Sequence, residues 1–183
     1  MRITTEENDI ASVLYSEETI ANRVNELAEQ LTVDYAGLDP LFVCVLKGAS
    51  FFYADLCRRV KCRIFMDFIA VSSYESESKS TGVVRIIKDL DKNITGRHVL
   101  IVEDIIDSGL TLRYLKDLLS SRKPASIKSA SLLEKDIQHK CTIVPDYLGF
   151  KMGDDFVVGY GLDYANYYRN LPYIGILKPE TYQ

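Results

Sequence analysis

The sequence predicts an α/β fold in which helices flank a mainly parallel, twisted sheet. Three observations carry the prediction. Leu41–Leu46 and residues 99–102 are apolar at every position rather than at alternate ones, as in strands covered on both faces. Each run is followed within a few residues by a stretch with helix character. Strands and helices then alternate along most of the chain, the order that crossover connections between parallel strands produce.

Taken in order, Ser16-Glu17-Glu18 offers a capping hydroxyl and first-turn acids, and Ile20, Val24, Leu27 and Leu31 follow at helical spacing. A helix is expected over about 17–32. The strand Leu41–Leu46 stops at Lys47-Gly48, and 49–60 reads as the next helix. Residues 63–73 and 83–87 read as strands on either side of a polar segment, 75–82, that has nothing to bury. A long hairpin is expected there. The strand 99–102 leads through a loop to a helix over 110–119. Segments 126–133, 147–150 and 156–160 supply further strands. No repeat or linker interrupts the pattern, and 183 residues fit one domain, 1–183, with a sizeable core.

Composition narrows the function. The chain is 47% apolar and 26% charged, with a formal charge of −4 and a pI near 5.3. The nearest approach to a basic block, Arg58, Arg59, Lys61 and Arg63, sits at a helix end and a strand start, so no nucleic-acid or anionic-membrane partner is expected. Residues 1–9 are polar and acidic, without the apolar core of a signal peptide, and no apolar run approaches the roughly 18 residues that span a bilayer. A cytoplasmic location is the expectation. Cys44, Cys57, Cys62 and Cys141 form no Cys-x-x-Cys pair, and only His98 and His139 could join them, which leaves no zinc pattern. Cys44 lies within an apolar run and reads as a small buried side chain.

Ligands of such sheets sit beyond the carboxyl ends of the strands. That directs attention to Lys47-Gly48, to the segment after Val102 and to the residues after Leu133. The second is the most informative: Val99-Leu-Ile-Val-Glu-Asp-Ile-Ile-Asp-Ser-Gly-Leu-Thr111. An apolar strand ends in two adjacent acids, Glu103 and Asp104, which repel each other unless a cation or hydroxyl donors lie between them. Asp107-Ser108-Gly109 and Thr111 then lead into a helix, where backbone N–H groups and two hydroxyls can hold an anion. A diol reader beside a phosphate cradle implies a ribose 5-phosphate. The rival readings are an acidic strand end followed by an ordinary helix cap, and a phosphoacceptor receiver domain. In a receiver domain the acidic pair falls near the start of the chain rather than beyond residue 100.

This string resembles the phosphoribosyl-pyrophosphate motif of the type I phosphoribosyltransferases, and its wording is similar to that of the hypoxanthine (hypoxanthine-guanine) phosphoribosyltransferases. Leu46-Lys47-Gly48, Ser73-Tyr74, Ser-Leu-Leu-Glu-Lys135 and Phe156-Val-Val-Gly-Tyr-Gly-Leu-Asp163 match in the same order, over about residues 40–170. The resemblance implies a small hood, formed by the N-terminal segment and residues after about 135, and a mobile β-hairpin flap over about 73–84 that opens with Ser73 and Tyr74.

It also implies roles. Glu103 and Asp104 would hold the ribose hydroxyls, with Mg2+ between, and Asp163 would be a second metal ligand. Asp107, Ser108, Gly109, Leu110 and Thr111 would wrap the 5-phosphate, and Asp107 would act as general base or acid at N7 of the purine. Lys47, Gly48 and Arg169 would contact pyrophosphate. Lys135 would donate to O6 of the base, Phe156 would stack on it and Val157 would offer backbone contacts. The substrates implied are phosphoribosyl pyrophosphate and a 6-oxopurine, hypoxanthine with guanine or xanthine as alternatives, and the assembly implied is a homodimer or homotetramer. Phe51-Phe52-Tyr53 and the tyrosine-rich 160–173 stretch are candidates for an interface, and core packing explains them equally well. A phosphoribosyltransferase-fold regulator that binds nucleic acid is the other class, and it would need a basic patch. Two positions depart from some relatives: Leu110, where they carry lysine, and Asp155, where they are basic.

Overall fold

In the computed structural model of the chain, which describes residues 8–73, 84–136 and 143–182, thirteen elements build two sheets. β1 (Ile10–Tyr15) leads into α1 (Glu17–Asp34), where Ser16 caps the first turn by accepting from the Thr19 N–H at 3.2 Å. β2 (Leu41–Leu46), α2 (Ser50–Arg59) and β3 (Phe65–Ser73) follow, then β4 (Val84–Lys88), β5 (His98–Ile106), α3 (Leu110–Ser120) and β6 (Ser126–Lys135). The chain ends with β7 (Tyr147–Met152), β8 (Val157–Val158), β9 (Ile174–Leu177) and the single turn α4 (Pro179–Tyr182).

The large sheet has the order β4-β3-β2-β5-β6-β7, parallel throughout except for β4, which runs antiparallel to β3. Side chains alternate faces along each strand, and both faces are covered. Phe42, Cys44, Leu100 and Val102 pack against α1 and α2 through Val24, Leu27, Leu31, Phe52 and Leu56. Val43, Val45, Val99 and Ile101 pack against Leu112, Leu115 and Leu119 of α3. Runs that are apolar at every position are therefore what these two central strands require. Burial pushes the Cys44 thiol up to about 12, so it behaves as a packing residue. Arg23 of α1 reaches the outer strand β7, donating to Gly149 O at 2.9 Å and Leu148 O at 2.7 Å.

The small sheet, β1-β9-β8, is antiparallel and joins the two ends of the chain: Ile10 lies opposite Leu177 and Val157 opposite Ile176. β1, β9 and α4 were not expected. The strand expected over 156–160 shortens to Val157–Val158, because Gly159, Tyr160 and Gly161 all take positive φ and turn the chain away. Other boundaries shift modestly; β5 extends four residues past Val102 and β6 runs on to Lys135. Tyr74 and the rest of the flap up to 83 lie outside the described residues, as do His139 and Cys141, and Ser73 is described as the last residue of β3. No described helix is long and apolar enough to cross a membrane.

Candidate active site

Glu103 and Asp104 are strand residues rather than the first residues of a loop. β5 continues through them because its ladder with β6 continues, pairing Glu103 with Ser131 and Ile105 with Leu133. Consecutive side chains leave a strand on opposite faces, and the two acids diverge. Glu103 is 5% exposed, and its Oε1 has no hydrogen-bond partner. Burial, reinforced by the neighbouring Asp104, holds its carboxyl well above the usual carboxylate range. Burial also raises Asp104, against the Ile105 N–H that donates to Oδ1 at 2.9 Å and the more distant Arg169.

Asp104 turns toward the loop after β2. A Cβ at Gly48 would lie 1.6 Å from Asp104 Oδ2, so any larger residue would displace that carboxylate. The peptide between Leu46 and Lys47 is cis, and the Lys47 side chain is exposed on this loop. Gly161, at φ +103°, presses on the other side: its Cβ would fall 2.0 Å from Gly48 O. Arg169 secures that approach, donating from Nη1 to Gly161 O and from Nη2 to Asp163 Oδ1, both at 2.6 Å. Tyr160 adds a third tie, its hydroxyl donating to Asp55 Oδ2 of α2 at 2.6 Å. Lys47, Gly48, Asp163 and Arg169, distant in sequence, thus form one connected group with Asp104.

After β5 the chain turns through Asp107, Ser108 and Gly109. Gly109 occupies the N-cap of α3 at φ +78°, which explains the glycine, and as glycine it brings no capping side chain. Ser108, one residue before the N-cap, accepts a long hydrogen bond from the Leu110 N–H at 3.5 Å. Leu110 and Thr111 form the first turn of α3, and the amides there face outward from a helix N-terminus, a favourable place for an anion.

A cavity of about 230 Å³ opens beside this turn, lined by Asp104, Ile105, Asp107, Lys135, Asp155, Phe156, Val157, Leu162 and Asp163. Lys135 ends β6, and its Nζ stands 3.0 Å from Asp154 Oδ1 and 3.9 Å from Asp107 Oδ1. The Asp107 side chain is 62% exposed. Phe156 presents a partly exposed ring, and Val157 is buried. The cavity thus gathers an acid, a cation and an aromatic face next to the Asp104–Gly48 contact. Glu103 does not line it.

The phosphoribosyl transferase domain family matches residues 11–165. A hypoxanthine-guanine phosphoribosyltransferase of Bacillus subtilis is 53% identical over 96% of this chain and 98% of its own length. The crystal structure of a hypoxanthine phosphoribosyltransferase from Staphylococcus aureus is 47% identical and superposes with a TM-score of 0.95 over the whole of both chains. The chain belongs to the hypoxanthine-guanine phosphoribosyltransferase family. Members of that family are enzymes of purine salvage that transfer a pentosyl group. Other relatives are longer: a bifunctional protein, TilS/HprT, of Listeria innocua is 54% identical over 96% of this chain, which spans 27% of that protein.

Within this hypoxanthine-guanine phosphoribosyltransferase fold, the donor set can be tested against magnesium. No group of three or more His, Cys, Asp or Glu side chains placed to hold a metal occurs among the described residues. Magnesium bound with a substrate phosphate needs only one or two carboxylates. Asp104, raised by burial, and Asp163 both line the cavity and supply that number, so the residues fit, with Glu103 set apart on the other face of β5. Sequence reasoning missed Asp154, the near partner of Lys135, because nothing in the sequence sets the loop after β7 against the end of β6. Of the aromatic residues left open between interface and core, Phe52, Tyr53, Tyr160 and Tyr168 are buried within the chain, whereas Phe51 and Tyr167 are exposed.

Proposed function

We propose that the chain transfers the 5-phosphoribosyl group from phosphoribosyl pyrophosphate to hypoxanthine, and to guanine, releasing pyrophosphate. The observation that carries this reading is the cavity itself, which sets Asp107, Lys135 and Phe156 around a space of purine size and beside the Asp104–Gly48 contact. In this reading the C1–oxygen bond breaks with its electrons leaving on pyrophosphate, N9 of the base bonds to C1, and the Asp107 carboxylate takes the proton on N7. Lys135 donates to O6, an interaction that adenine, with an amino group there, cannot accept. Phe156 stacks on the base and Val157 offers its backbone.

The ribose hydroxyls fall to Asp104, which lines the cavity; Glu103, which the resemblance pairs with it, points into the interior from the other face of β5. The 5-phosphate takes residues 107–111 with the first turn of α3, and pyrophosphate takes Lys47, Gly48 and Arg169. Asp104 and Asp163, which line the cavity, would hold Mg2+ together with substrate oxygens, and the ion would offset the charge on pyrophosphate as it leaves; Glu103, the third ligand the resemblance implies, is buried on the opposite face of β5. Since no strong nucleophile is needed, positioning and electrostatics supply the rate. A homodimer or homotetramer accompanies this reading, supported by the exposed apolar side chains Phe65, Met66 and Phe68 on β3.

The test is an assay of nucleotide formation with hypoxanthine, guanine, xanthine and adenine, each with and without Mg2+. Magnesium-dependent formation of IMP and GMP, with adenine inert, is expected. Equal use of adenine would remove the role given to Lys135, and absence of any product would remove the reading.

A further inference from the structure

Phe156 lies just outside β8, and its carbonyl accepts from the Leu177 N–H at 2.9 Å. A phenyl ring in that position would lose rotamer freedom whenever a flat ligand settled on it. Its ring is nevertheless held. Tyr182 of α4 stacks on it with centroids 4.9 Å apart and planes 22° from parallel. Tyr164 meets it edge-on, at 5.7 Å and 88°. The two tyrosines touch each other at 6.4 Å and 65°, which closes a triangle of rings.

The cavity is lined by Phe156 but by neither Tyr164 nor Tyr182, so the tyrosines cover the side of the phenyl ring that faces away from it. The tail that delivers Tyr182 is itself fixed. The Lys178 N–H donates to Asp9 O at 2.9 Å, Lys178 Nζ donates to Asn8 O at 2.5 Å, and the Thr181 N–H closes the turn on Lys178 O at 3.0 Å. Pro179 starts that turn, with one residue, Lys178, between it and the end of β9 at Leu177.

We propose that Tyr182 is a positioning residue for base recognition: its ring, with Tyr164, sets the plane of Phe156 so that one face is already oriented to receive a purine. This rests on the reading of Phe156 as the stacking ring. A plate fixed in advance lowers the ordering cost of binding, so the effect falls on affinity for the base and not on phosphoribosyl pyrophosphate or turnover.

Tyr182→Ala is expected to raise KM for hypoxanthine about three- to tenfold, with KM for phosphoribosyl pyrophosphate and kcat within about twofold of the parent. Tyr182→Phe keeps the ring and is expected to behave as the parent does; Tyr182→Leu keeps apolar volume without a plane and should match the alanine variant. In a Phe156→Ala background, Tyr182→Ala should add almost nothing. A hypoxanthine KM that stays put or falls in Tyr182→Ala overturns the proposal, as do equal rises in both KM values or a phenylalanine variant as impaired as the alanine one. If Phe156→Ala itself leaves hypoxanthine KM unchanged, the stacking role of Phe156 fails. If it raises that KM while Tyr182→Ala does not, only the proposal about Tyr182 fails.

Discussion

The two sheets meet around one cavity, yet they are assembled in different ways. The large sheet joins strands that mostly lie near one another in sequence, and helices cover both of its faces. At the carboxyl ends of β2, β5 and β6 it carries Lys47-Gly48, Asp104, Asp107 and Lys135. The small sheet closes β1 on β9, pairing Ile10 with Leu177, and carries Val157 in β8 and Phe156 just before it. The N7 acid and Lys135 thus stand at the ends of the large sheet, and the apolar surface for a base stands on a layer held by distant pairing, with Asp163 and Arg169 on the connection between β8 and β9. If the proposed roles are right, substitutions at the ends of the large sheet should act on turnover, and substitutions beside the small sheet should act on the choice and affinity of the base.

The largest effect should come from Asp107→Asn. The amide keeps the shape and cannot take a proton, so kcat should fall by about 10²–10⁴. Calorimetric binding of phosphoribosyl pyrophosphate should be little changed, since the first turn of α3 remains. Turnover near that of the parent would break the division between the layers at its strongest point. Lys135→Ala should come next. A hydrogen bond from a charged donor contributes about 1.5–3 kcal/mol, so kcat/KM for hypoxanthine should drop about 10- to 10²-fold. Asp154 should soften none of this loss: its pair with Lys135 involves a carboxylate that is 76% exposed, and such pairs contribute little. A drop confined to KM, with kcat intact, would place Lys135 on the side of base affinity and blur the comparison.

The same division governs what the sequence reveals. β2 and β5 are legible because two-sided burial makes every residue apolar, a signal contained in four to six consecutive positions. The segment 103–111 is legible for the same reason: its acids, glycine and hydroxyls are contiguous. The end of β5 was misplaced because Glu103 and Asp104 look like terminators in sequence. In the fold the ladder with β6 outweighs them, and it carries Glu103 into the interior opposite the buried Ser131. β1 and β9 were not legible: each is short, and each is a strand only because the other end of the chain supplies its partner. The Asp104–Gly48–Gly161 contacts and the Phe156–Tyr182 stack have the same character, since neither exists until distant segments are brought together.

Asp155 offers the smallest and most selective test. Its carboxylate lines the cavity next to Phe156, on the side of the small sheet, and with Asp104, Asp107 and Asp163 it sets four acids against the single cation Lys135. Hypoxanthine is neutral near neutral pH, whereas xanthine loses a ring proton there and enters as an anion. Reversing one charge a few ångströms from the base, in a cavity open to water, changes the interaction by about 1 kcal/mol. Asp155→Lys should therefore raise the ratio of xanthine to hypoxanthine kcat/KM about fivefold, and added salt should shrink the gain. Because hypoxanthine carries no charge, its own kcat should hardly move, as expected of a residue beside the small sheet. An unchanged ratio would mean that the charge at 155 is not felt at the base. A fall in hypoxanthine kcat would mean that the apolar side of the cavity also shares in turnover, and the separation between the two layers would then have to be given up.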